Sequence, residues 1–211
     1  MSSEIIDIHT HIYPKSIAKK ATENIGKFYD HPFGTEGTAD NLINLGKKAG
    51  IGTFLIHSIA TTKHQVSSIN NFIASQVKEH NEFRGFATLH QNMSDSEIAD
   101  EIQKTISSGL LGIKMHPDFQ EFYADDFIMD KIYAQCEGVL PVLLHAGDDR
   151  YEYSRPGRIA RAAKRFPNLT FIAAHFGGYS RWDELDAYAR TPNVFFDTSS
   201  SIYHLGAERA T

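Results

Sequence analysis

V-L-P-V-L-L-H-A-G, residues 139–147, decides the fold. Residues 139–144 carry no polar side chain, so a strand there is apolar on both faces. A strand of that kind belongs in a parallel sheet covered by helices on both sides. It stops at His145 and Gly147, where a polar group can be presented and the chain can turn. Six further short runs read the same way: 5–8, 53–56, 86–89, 112–115, 169–174 and 194–196. Between the runs, helical periodicity covers 15–24, 39–48, 66–79, 94–107, 126–137, 156–165 and 182–190. Ser94 and Glu97 have capping-box spacing, Gly109 and Gly138 stand where helices end, and Pro156 suits a first helical turn. Strands alternating with helices imply right-handed βαβ units. The repeat lengths fit either an open doubly wound sheet or a (β/α)8 barrel. No internal repeat or linker interrupts the chain, so residues 1–211 read as a single domain.

Composition narrows the class. The 211 residues include 21 Lys+Arg and 26 Asp+Glu, a net charge of −5, with 41% hydrophobic residues. No apolar run is long enough to span a bilayer, and residues 1–7 lack the basic-then-apolar order of a secretory leader. The single cysteine, Cys136, fits a reducing cytoplasm. A mildly acidic chain is a poor match for nucleic acid. The expected partner is therefore a small molecule, with no nucleic acid and no membrane.

The histidines are the anomaly: 11 in the chain, roughly twice ordinary usage. Seven of them, His9, His11, His57, His90, His116, His145 and His175, lie within a few residues of the carboxyl end of an expected strand. In a parallel sheet those ends share one side. Any one alone reads as a half-buried strand terminator; all seven together point to a common site. Within D-I-H-T-H (7–11), residues two apart in extended chain face the same way. His9 and His11 can therefore offer two imidazoles to one divalent ion, with His145 and His175 supplying more from other strand ends.

D-I-H-T-H (7–11), G-I-K-M-H-P (112–117), P-V-L-L-H-A-G (141–147), A-H-F-G-G (174–178) and F-D-T-S (196–199) together resemble the amidohydrolase-related ("amidohydrolase 2") family. That family is a branch of the metal-dependent amidohydrolase superfamily. The resemblance implies an α/β fold, a distorted (β/α)8 TIM-type barrel with a divalent metal at its mouth. It implies His9, His11 and His145 as metal ligands, with one Zn²⁺ first and Mn²⁺ second. It implies His175 as a catalytic histidine that polarises substrate or moves a proton. The implied reaction is hydrolysis of a small, carboxylate-bearing substrate through metal-activated water. Lys114, His116 and Arg150 are candidate substrate-binding residues, Arg150 because guanidinium suits carboxylate. Against these stand a structure-supporting Lys114, a loop-held His116 and an exposed loop charge at Arg150.

The chain departs from the family at its end. An aspartate closing an eighth strand, the family's metal ligand and general base, has no counterpart after residue 197. The expectation is a barrel lacking its eighth βα unit. Two explanations compete: a fragment whose remainder holds the aspartate, or a shortened product with impaired chemistry. Asp197 matches the family's seventh-strand aspartate and is not read as the base. Unpaired edges on the first and seventh strands would favour dimerisation, another partner or instability. Non-oxidative decarboxylation in the same family is the runner-up activity, and an inactive metal-binding barrel is the alternative from another class. A metal-dependent nuclease is disfavoured by Lys114, where such enzymes usually place a glutamate, and by the acidic charge. No G-x-S-x-G elbow is present, Gly177-Gly178 lacks dinucleotide or P-loop spacing, and Cys136 lies in a helical stretch.

Overall fold

A computed structural model describes residues 5–210; residues 1–4, part of the stretch read for a leader, and residue 211 lie outside the described residues. The strands are β1 (Ile5–His11), β2 (Ile51–His57), β3 (Phe83–Gly85), β4 (Ala87–Thr88), β5 (Ile113–Met115), β6 (Val142–Leu144), β7 (Phe171–Ala173) and β8 (Val194–Phe196). Every ladder among them is parallel. The order is β1-β2-β3 in one sheet and β4-β5-β6-β7-β8 in the other. The run expected at 86–89 holds β4, and a separate strand outside it, β3, precedes it across Phe86. β3 pairs with β2, β4 with β5, and the Phe86 amide donates to the Ile56 carbonyl at 3.1 Å. Strand order never reverses, which excludes the doubly wound sheet and leaves the barrel.

The wall curls until its ends meet at one rim. His9 of β1 contacts Asp197, the residue after β8, at 2.7 Å. Yet no ladder joins β8 to β1 among the described residues, so the barrel stays open there. Alternation along the strands separates two cores. Phe54, Ile56, Ile113, Met115, Val142, Leu144, Phe171 and Ala173 pack in the large cluster that the helices cover. Leu55, Phe86 and Leu143 face the other way, with Ile172 against them, and fill the lumen. The lumen layer continues by register to Phe195, which is 57% exposed because no strand covers it. Ile5 and Ile6 flank the same seam and are exposed as well.

The helices include α1 (Lys15–Phe28), α2 (Ala39–Ala49), α3 (Val66–Glu79), α4 (Asp95–Ser107), α5 (Pro117–Gln120), α6 (Asp130–Cys136) and α7 (Pro156–Arg165). The Ser94–Glu97 capping box forms in full at the start of α4, a device worth about 1 kcal/mol. Gly109 and Gly138 adopt the left-handed conformation expected of them. Two expected helices differ. The 126–137 stretch begins as a 3-10 turn, Phe127–Met129, because the Asp126 side chain accepts from the Ile128 amide before α6 starts. The 182–190 stretch is a 3-10 turn, Trp182–Tyr188, tied down where Trp182 donates to the His175 carbonyl and Tyr188 to that of Gly177. On α7, Arg158 and Arg161 pair with Asp125, and Arg165 pairs with Asp130. Among the described residues, no helix is long and apolar enough to cross a membrane.

Candidate metal centre

Register builds the rim. His11 and His57 are Cα partners across the β1–β2 ladder, so their side chains emerge next to each other. His9 joins them from two residues back: ring centroids lie 5.4 Å apart for His9–His11, 4.8 Å for His9–His57 and 4.4 Å for His11–His57. One ligand atom from each lies within 4.8 Å of the other two. Burial, reinforced by the neighbouring cations, pulls the pKa of His9 and His57 well below the usual range and that of His11 down to about 3. All three are neutral imidazoles, and those of His11 and His57 have nitrogens open to a metal. His11 Nδ1 and both nitrogens of His57 are buried without a hydrogen-bond partner. Orphaned lone pairs on clustered imidazoles are the donor set a divalent ion takes.

Asp197 ties this trio to the next strands. It is 2% exposed. One carboxylate oxygen accepts from His9 Nδ1 at 2.7 Å, and the other accepts the amides of His175 (2.8 Å) and Ser199 (3.0 Å). The Lys114 ammonium donates to His9 Nε2 at 3.3 Å, which places the ring proton on Nδ1. Lys114 is fully buried, and desolvation brings its pKa down to about 7 against the opposing pull of Asp197. The Asp197 contacts also hold a strained turn, with His175 at φ 60° and Phe176 at φ 51°. Left-handed conformations at non-glycine residues cost roughly 1–3 kcal/mol each and cluster at functional sites. His175 Nδ1 donates to the Ser199 carbonyl at 2.8 Å, so its Nε2 is the acceptor, 3.0 Å from His145 Nδ1.

The far side of the rim is differently partnered. His145 and His116 stack at 4.0 Å with ring planes 9° apart. The Phe119 amide donates to His116 Nδ1 at 3.3 Å, leaving the Nε2–H to bond the Tyr29 hydroxyl at 2.8 Å. His145 Nε2 faces Asp118 Oδ2 at 3.7 Å. Asp118 is buried, accepts from the Ser154 hydroxyl at 2.7 Å, and has its other oxygen unpartnered; desolvation pushes its pKa up to about 7. Gly147 makes this corner possible. It sits at φ 83°, and a Cβ there would lie 2.1 Å from the Gly178 carbonyl oxygen. Arg150 grips Asp148 through two nitrogens and stacks 4.5 Å over the Phe28 ring, fastening the end of α1 across the site.

The structure therefore joins His9 and His11 to His57, brings Lys114 to His9, and places His145 between His175 and His116. His145 is absent from both close ligand groups found among the described residues, which are His9–His11–His57 and His9–His175–Asp197. Arg150 reaches the site but spends its fork on Asp148. Sequence reading passed over His57 as one strand-end histidine of several, although its place at the end of β2 was the signal. It also missed Asp118 and Tyr29. The Cys136 thiol is buried and pushed up to about 12, inert as a nucleophile.

A family model described as Amidohydrolase matches residues 6–207. No curated protein matches the chain. Among solved structures, an uncharacterised TIM-barrel protein from Bordetella bronchiseptica superposes with a TM-score of 0.75 at 18% identity, covering 95% of this chain and 77% of that one. A 5-carboxyvanillate decarboxylase from Novosphingobium aromaticivorans, complexed with manganese and 4-hydroxy-3-methoxy-5-nitrobenzoic acid, gives 0.65 at 14% identity over 83% of this chain and 66% of that one. A putative amidohydrolase from Staphylococcus aureus gives 0.61 at 14% identity over 93% and 79%. At such identities these likenesses establish the TIM-barrel fold.

Proposed function

The chain belongs to the amidohydrolase family, and from that premise we propose that it is a metal-dependent hydrolase of a small, carboxylate-bearing substrate. One observation carries the reading: buried, neutral imidazoles crowd one rim of the barrel, and nitrogens of His11, His57 and His145 lack protein partners. His9 and His11 would hold the ion, zinc first and manganese second; manganese accompanies the related decarboxylase. A bound divalent ion supplies Lewis acidity, which acidifies water and polarises a substrate oxygen.

The chain's own residues do the rest. Asp197 satisfies three donors at once, so it orients His9 and the His175 turn and is not the base. Asp118, buried with one oxygen free and a pKa near neutrality, is the carboxylate that can accept a proton. His175, with Nδ1 fixed by Ser199, presents Nε2 to relay that proton through His145. Lys114 and His116 border the substrate, and Arg150, its side chain 41% exposed and held by Asp148, offers its positive charge to a carboxylate. The site draws on residues from 9 to 197, which supports one catalytic domain. Unpaired edges on β1 and β8 favour a homo-oligomer, and the lone buried thiol suits a reducing cytoplasm.

Decarboxylation is the second reading, favoured by the aromatic wall of Phe28, Tyr29, Phe119, Tyr151 and Tyr179 around His116 and His145. A planar aromatic acid would stack there. Parallel assays of CO₂ release and of ester or amide hydrolysis on carboxylate-bearing compounds, with and without chelator, separate the two. Hydrolysis abolished by chelator is expected. CO₂ release without hydrolysis would give the reaction to the second reading, and silence from metal-loaded protein would leave an inactive barrel.

A further inference from the structure

We propose that Tyr179 is a specificity-determining residue, an aromatic gate that sets what can reach the His145–His175 pair. This rests on the reading above only in placing the reaction at those two histidines. Both are shut away from solvent: His145 is 1% exposed and His175 5%. No substrate touches either until something covering them moves. The Tyr179 ring lies 5.4 Å from the His145 ring and 5.2 Å from that of His175, centroid to centroid. It is itself half-buried, and the exposed His204, from the short helix Ser201–Leu205, meets it edge-on at 4.7 Å. Tyr179 thus stands between an exposed residue and the two buried ones.

Two tyrosines flank His145, and only one of them is tied. The Tyr29 hydroxyl bonds His116 Nε2 at 2.8 Å, and the Arg150 guanidinium donates to the adjacent Phe28 carbonyl. The Tyr179 hydroxyl has no hydrogen-bond partner among the described residues, so its ring can swing outward without breaking one. The two tyrosine rings lie 5.6 Å apart, and an entry between them widens only as Tyr179 turns. The size of molecule admitted is therefore set by Tyr179. The backbone points the same way. Tyr179 has φ 38° in a turn where His175, Phe176 and Gly177 are left-handed too. Non-glycine residues held in that region cluster at active sites, ligand clamps and switches.

The test is the rate at which diethyl pyrocarbonate modifies each histidine of the full chain, mapped by mass spectrometry. Wild type, Tyr179→Phe and Tyr179→Ala are compared, as purified and after chelation, so that shielding by an ion is told apart from shielding by the ring. Tyr179→Gly is the second ring deletion, suited to the left-handed backbone, and near-ultraviolet circular dichroism verifies folding. The open form of a two-state gate is populated at roughly 0.1–10%, and reactivity scales with that fraction. The expected result is slow modification of His145 and His175 in wild type, before and after chelation. Deleting the ring should speed both by about tenfold or more, with Tyr179→Phe within about threefold of wild type. His57, buried on the β1–β2 side, should react at the same rate in every variant. Unchanged rates at His145 and His175 in the folded ring deletions would overturn the gate. So would equal acceleration at His57, which is general loosening. Wild-type protection that vanishes on chelation would also overturn it, while leaving the metal reading standing.

Discussion

The two sides of the rim are built from the same material and finished differently. On the β1–β2 side, His9, His11 and His57 crowd together, with nitrogens of His11 and His57 left open. On the β5–β6 side, His116 and His145 are stacked, bonded to Tyr29 and His175, and backed by Asp118. Both sets end parallel strands, and burial depresses the pKa of every histidine in them. Placement and burial therefore do not distinguish a ligand from a proton carrier. The hydrogen-bond partners differ in degree, since His145 Nε2 on the far side is also buried without one.

Asp197 bridges the two sides, and removing it should produce the largest effect. Asp197→Ala strands His9 Nδ1 and the amides of His175 and Ser199 in a buried site. Leaving a buried donor without its acceptor costs about 1–3 kcal/mol for each group, read as a fall in the urea midpoint of metal-stripped protein. A loss below about 1 kcal/mol, within the range of an exposed pair, would show that the two sides are held independently.

A smaller pair of effects should differ in sign between the sides. In metal-stripped protein His116→Leu leaves the Tyr29 hydroxyl without its partner, at a cost of about 1–3 kcal/mol. His57→Leu removes two unsatisfied nitrogens and substitutes apolar bulk, so ion-free stability should hold or rise. Urea unfolding of both variants checks this. Equal destabilisation would erase the contrast.

Much of this was legible from residue order. The seven apolar runs became the strand wall because alternation and run length report burial directly, and 66–79 and 156–165 match α3 and α7 end to end. His9 and His11 were legible because two-residue spacing in a strand is a geometric statement. Asp118 was not, because Pro117 and the short α5 fold it back under His145, and that depends on tertiary packing. The engagement of Arg150 was hidden in a loop conformation that turns Asp148, two residues away, onto its guanidinium. β3 was hidden too, since Phe83-Arg84-Gly85 carries a charge and is no apolar run.

The most direct measurement is the divalent-metal content of purified wild type beside His9→Ala plus His11→Ala, by elemental analysis at equal protein concentration. The account expects about one ion per chain in wild type, as in a single-metal hydrolase site, and next to none in the double variant. Equal metal in both proteins would contradict it, because the imidazoles on which everything else was built would then hold nothing.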